Sequence, residues 1–98
     1  VSQLEEAKRQ IELQVIGAIN ELSAADKGIA AAASRLKNAR ESYRIVEKRF
    51  GEGQASLIEY IDSRSSMTQA EENLIISKFR YLSAFAEFER ITGIRETE

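Results

Sequence analysis

Glu59 and Asp62 are the residues of this sequence whose types and spacing come nearest to chemistry. Three positions apart on a helix, they share a face. Such a pair can bind a cation weakly or place negative charge along a channel. Each also has a plainer reading. Glu59 follows Ser56 by three residues, where a capping box wants an acid. Asp62 stands near the same helix start, where negative charge is favourable. Residue physics alone favours the plainer reading. Glu5-Glu6 and Glu71-Glu72 are adjacent pairs, so on a helix their side chains diverge by about 100°. The sequence has no histidine, which removes the commonest general base and transition-metal ligand and rules out a Ser-His-Asp triad. It has no cysteine, so there is no thiolate chemistry and no disulfide. Gly51-Glu52-Gly53 is too short for a phosphate loop and follows a helical pattern rather than a strand. The expectation is a protein that is not an enzyme and has no cofactor and no metal.

The elements that position these residues are legible in composition and periodicity. Ninety-eight residues make one domain or less. Proline is absent and alanine, glutamate and leucine abound, which favours helix. Charged residues make up 31%, yet the net charge is only -2, so acids and bases are interspersed and no basic face recruits nucleic acid. No apolar run approaches ~18 residues, so no helix is expected to span a bilayer. The chain begins at Val1 without a signal peptide and reads as an excised piece or processed product.

Apolar residues from Leu4, Ala7, Ile11 and Val15 through Leu36, Ala39, Tyr43, Val46 and Phe50 step by three and four, a coiled-coil seam with a stutter at Ile11 to Val15. The seam passes Gly28 without a register change, so one helix is expected over residues 2–50, with Ser2 and Glu5 capping it. At about 1.5 Å per residue it would run about 70 Å. Lys48 and Arg49 suit its last turn, and Gly51 is expected to stop it in the left-handed conformation. The tip is residues 51–55. Ser56 caps a second helix over 56–92, whose seam is Tyr60, Ser63, Met67, Ala70, Leu74, Ser77, Tyr81, Ala84, Phe88 and Ile91. Gly93 is expected to end it, leaving a frayed tail over 93–98.

The two seams test each other. If the chain reverses at Gly53, each residue faces its mirror position: Val46 faces Tyr60, Tyr43 faces Ser63, Ala39 faces Met67, Leu36 faces Ala70 and Ala32 faces Leu74. The series continues through Ile29 and Ser77, Ala25 and Tyr81, Leu22 and Ala84, and Ala18 and Phe88. After the first pair, large meets small at every level, as interdigitated layers require. The fold class is therefore all-α, a long antiparallel αα-hairpin. It leaves apolar residues over. Ile75, Ile76, Phe79, Leu82 and Phe85, with Ile16, Ile19, Ala30 and Ala33 on the first helix, lie off the seam and call for other helices to cover them. Phe79 and Phe85 read as core or subunit contacts, Phe50 as a core plug, and Arg64 as a solvated side chain.

Arg49-Phe50-x-x-Gly53-x-x-Ser56-Leu57-x-x-Tyr60-Ile61-Asp62-Ser63 resembles the repeat motif of the TolC-like outer membrane efflux proteins. Ala70-Glu71, Tyr81-Leu82-x-Ala84 and Ile91-Thr92-Gly93 match that family's spacing. The resemblance implies a trimer with an outer membrane β-barrel and a periplasmic tunnel of helices, of which this chain is one hairpin without its barrel strands. It implies a fragment of a periplasmic α-barrel, touching the membrane only through barrel segments absent here. It makes Phe50, Gly51, Gly53, Gln54, Ala55 and Ser56 the tip that docks a periplasmic adaptor (membrane fusion) protein. Glu59 and Asp62 would line the constricted entrance. Ala55 stands where some members carry a gate arginine, so a latch through that position is unsupported. The rival reading is a structural hairpin that mediates oligomerisation, such as the helical hairpin of a pump adaptor.

Overall fold

The computed structural model describes the backbone of residues 2–97 and the side chains of residues 2–93. The chain is all-α, with α1 spanning Gln3–Gly51 and α2 spanning Leu57–Thr97. Ser2 caps α1: its hydroxyl accepts the Glu5 N–H at 3.2 Å. Gly28 lies inside α1, which is continuous through it.

Both helix ends differ from the sequence expectation. Gly51 is the last residue of α1 and does not reverse the chain. Gly53 does, with φ of 74°. Its N–H donates to the Phe50 carbonyl at 3.0 Å, and the Gln54 N–H donates to the Arg49 carbonyl at 2.7 Å. Those two bonds make a Schellman motif, which satisfies the carbonyls that a helix end leaves orphaned. At the far end, α2 runs through Gly93 to Thr97 instead of stopping. A glycine only weakens a helix, by about 1 kcal/mol against alanine, and Gly93 does not have a positive φ. No proline enforces a stop, and the Thr92 hydroxyl bonds back to the Phe88 carbonyl. Residue 98 lies outside the described residues.

The chain divides into two compact units, Gly28–Ser77 and the pair Val1–Lys27 with Lys78–Glu98. In Gly28–Ser77, Ala32 and Leu36 are buried, at 3% and 5% exposed. Ile29, Ala39, Tyr43 and Val46 from α1 and Tyr60, Ser63, Met67, Ala70, Leu74 and Ser77 from α2 are half-buried around them. These are the seam positions of the sequence. Tyr60 shows how its one large-on-large layer is packed. It sits between Tyr43 and Phe50, a turn to either side of Val46, with its ring stacked on Phe50 (centroids 4.8 Å, planes 15° apart). Its hydroxyl shares a hydrogen bond of 3.1 Å with that of Tyr43. Ser63, the mirror partner of Tyr43, donates instead to the Tyr60 carbonyl at 2.9 Å.

The Tyr60 hydroxyl, and after it the Glu47 carboxylate, hold Tyr43 protonated well above the ordinary tyrosine range. Ultraviolet titration of the folded chain should therefore show Tyr43 still protonated beyond about pH 10, where free tyrosine ionises. Tyr60→Phe should bring that step down; an unchanged titration would mean that Tyr60 is not the cause.

In the other unit, Ala18 and Ile91 are buried, with Ile11, Val15, Leu22, Ala25, Tyr81, Ala84 and Phe88 half-buried. Leu4 and Ala7 belong to the seam by spacing but are exposed. Tyr81 stacks loosely on Phe85 at 6.5 Å. At the surface of this unit Glu87 pairs with Arg90, whose guanidinium holds the carboxyl below the usual carboxylate range.

The surplus apolar residues stay uncovered in both units. Ile45, Leu57, Ile58, Ile61, Ile75 and Ile76 are exposed in Gly28–Ser77. Leu13, Ile16, Ile19, Phe79, Leu82 and Phe85 are exposed in the other. Phe79, at 70%, is wholly unlike a core residue in the chain alone. Two helices have a single seam, and everything off it meets water unless another helix arrives.

Candidate functional site: the tip of the hairpin

The tip is built by a helix stop followed at once by a helix start. After the Schellman turn at Gly53, Ser56 caps α2 by accepting the Glu59 N–H at 3.1 Å. The Tyr60 N–H reaches the Ser56 carbonyl at 3.1 Å, which begins the α2 ladder. A full capping box would send the Glu59 carboxylate back to the Ser56 N–H. Glu59 instead faces Arg49, with Nη1 to Oε2 at 3.8 Å. The same guanidinium donates through Nη2 to the Gln54 carbonyl at 3.1 Å. In the sequence Arg49 suits the helix dipole and opens the tip motif, with no further role. The structure makes it the tie between the end of α1, the turn and the first turn of α2. Its place directly before Phe50 in the tip motif was the one available signal.

The six tip residues are placed as follows. Phe50 is 37% exposed, its ring against Tyr60 and its remaining surface in water. It is therefore a lid on the end of the seam rather than a buried plug. Gly51, Gly53, Gln54 and Ser56 are exposed, whereas Ala55 is half-buried. A Cβ added at Gly51 or Gly53 would meet nothing within 4 Å. Gly53 needs glycine for its backbone angle; Gly51 is helical, and nothing inside the chain requires glycine there.

Glu59 and Asp62 are both exposed on the first turns of α2. Among the described residues Asp62 makes no ion pair. Arg64 is likewise exposed and unpaired. Glu72 is exposed and Glu71 half-buried, so the adjacent acids do diverge. No cluster among the described residues gathers three potential metal ligands. No described helix is long and apolar enough to cross a membrane, which does not bear on a β-barrel. What the tip offers is a tightly bonded backbone turn, exposed polar side chains and two carboxylates, of which Glu59 lies beside Arg49.

No curated protein matches the chain, and no solved structure does. A family model does, over residues 1–94, and its description is outer membrane efflux protein. That span takes in both seams, the Schellman turn and the acidic first turns of α2. With the match extending over residues 1–94, the chain belongs to the outer membrane efflux protein family, a family of transport channels rather than enzymes.

Proposed function

We propose that this chain is a periplasmic tunnel hairpin of a trimeric outer membrane efflux channel. It is a passive conduit whose tip docks the periplasmic adaptor of a tripartite export pump. The observation that carries this reading is the tip itself. Its shape is held from within, by the Arg49 guanidinium donating to the Gln54 carbonyl and the Glu59 N–H donating to the Ser56 hydroxyl. The exposed Gln54 side chain and the open surface at Gly51 and Gly53 are left for something else. The exposed isoleucines and phenylalanines support the assembly, because neighbouring helices of a tunnel wall would cover them. Membrane contact belongs to barrel segments outside these residues. Glu59 and Asp62 line the entrance and bias it toward cations. The alternative, a hairpin of a pump adaptor, has no observation in its favour once residues 1–94 match the efflux protein family.

A photoreactive residue at Gln54 of the full-length channel, in cells, should crosslink to the adaptor, and one at Lys8 should not. Gly53→Leu should abolish the crosslink while leaving helix content intact. A Gln54 probe that captures no adaptor, in cells where the pump works, would sink the docking role.

A further inference from the structure

We propose that Arg49 is a charge-setting residue of the tunnel mouth. Its guanidinium offsets the Glu59 carboxylate, so that Asp62 supplies the net negative charge which the hairpin presents to a passing ion. The inference rests on the mouth reading above and deepens it.

The geometry around Arg49 points this way. Nη1 lies 3.8 Å from Glu59 Oε2, and Nη2 donates to the Gln54 carbonyl at 3.1 Å. The Arg49 carbonyl in turn accepts the Gln54 N–H at 2.7 Å. The residue is therefore tied to one turn residue by both backbone and side chain, and the guanidinium is held beside Glu59 instead of sweeping through solvent. The two side chains are 46% and 53% exposed. A pair so wetted adds little to stability, but its fixed charges still shape the potential that an ion meets. Asp62, one turn further along α2, makes no ion pair among the described residues. Lys48 and Glu52, the other charges flanking the turn, are of opposite sign.

Counting charge by charge gives a result that the two carboxylates alone do not suggest. Glu59 and Arg49 cancel, and Asp62 remains. Removing both carboxylates does not leave a neutral mouth; it leaves Arg49 and turns the bias toward anions. Removing Arg49 alone strengthens the preference for cations.

The test is the reversal potential of the full-length channel in planar bilayers under a potassium chloride gradient. Asp62→Asn and Glu59→Gln should each lower the potassium-to-chloride permeability ratio, and the double variant should invert it. Arg49→Gln should raise the ratio by about sevenfold, because one unit charge across about 7 Å of water, before salt screening, shifts potassium and chloride by about 2.7-fold each in opposite directions. Arg49→Lys keeps the charge and should leave the ratio unchanged. If Asp62→Asn shifts selectivity but Arg49→Gln does not, the inference is overturned and the mouth reading stands. The same holds if Arg49→Lys shifts the ratio as much as Arg49→Gln, since turn geometry and not charge would then be responsible. If neither carboxylate variant moves the ratio, the mouth reading falls and this one falls with it.

Discussion

Leu36→Ala should destabilise the chain by about 2–4 kcal/mol, a drop in midpoint of roughly 10–20 °C for a chain of this length. Leu36 is the one large side chain nearly fully buried in Gly28–Ser77, at 5% exposed. Its mirror partner across the seam is Ala70, and its neighbour one turn back is Ala32. A small residue lies opposite by design, so truncating the large one leaves a layer with nothing to fill it. Two helices cannot close a gap as a thick core can, because there is no second layer to collapse inward. Thermal unfolding followed by circular dichroism checks the value. The converse change, Ala32→Leu, should cost about 1–3 kcal/mol by overpacking the same seam. A loss below about 0.5 kcal/mol for Leu36→Ala would mean that the seam does not hold the unit together.

The second large effect separates two glycines two residues apart. Gly53→Ala should destabilise by about 1–2 kcal/mol, the cost of an L-residue in the left-handed region. Gly51→Ala should stabilise by about 0.5–1 kcal/mol, because alanine is the better residue in a helix. Space is not the cause in either case: a Cβ meets nothing within 4 Å at both positions. The difference is the φ of 74° at Gly53 against the helical conformation of Gly51. Urea unfolding of the two variants measures it directly. Equal effects would contradict the Schellman turn. If Gly51→Ala stabilises the chain but weakens adaptor crosslinking, glycine at that position serves an outside partner rather than the fold.

The seam was readable in sequence because it is a property of spacing. Side chains three and four apart fall on one side of a helix whatever surrounds it. The half-buried and buried positions from Ile11 to Val46 and from Tyr60 to Ile91 match that spacing. Mirror pairing of large with small residues placed the reversal at Gly53, and the chain does reverse there. Candidate site residues were legible as types, not as arrangements. Glu59 and Asp62 shared a face by spacing, yet nothing in the sequence showed that Glu59 would turn from its own cap to Arg49, ten positions away.

Sequence by itself determined that the chain is helical, that it doubles back, and that it carries more apolar surface than one seam can hide. Those follow from composition and from the 3.6-residue period, which act along the chain. Tertiary structure alone decided which of two glycines takes the left-handed angle, since either could. The choice falls to the bonds from Gly53 and Gln54 back to Phe50 and Arg49, and to the Phe50 ring, which rests on Tyr60 when α1 continues through Gly51. It also decided that Gly93 would not end α2, because a glycine stops a helix only when a competing turn captures the freed carbonyls. Finally, it brought the Arg49 guanidinium beside Glu59, a meeting across the turn that exists only once both helices are in place.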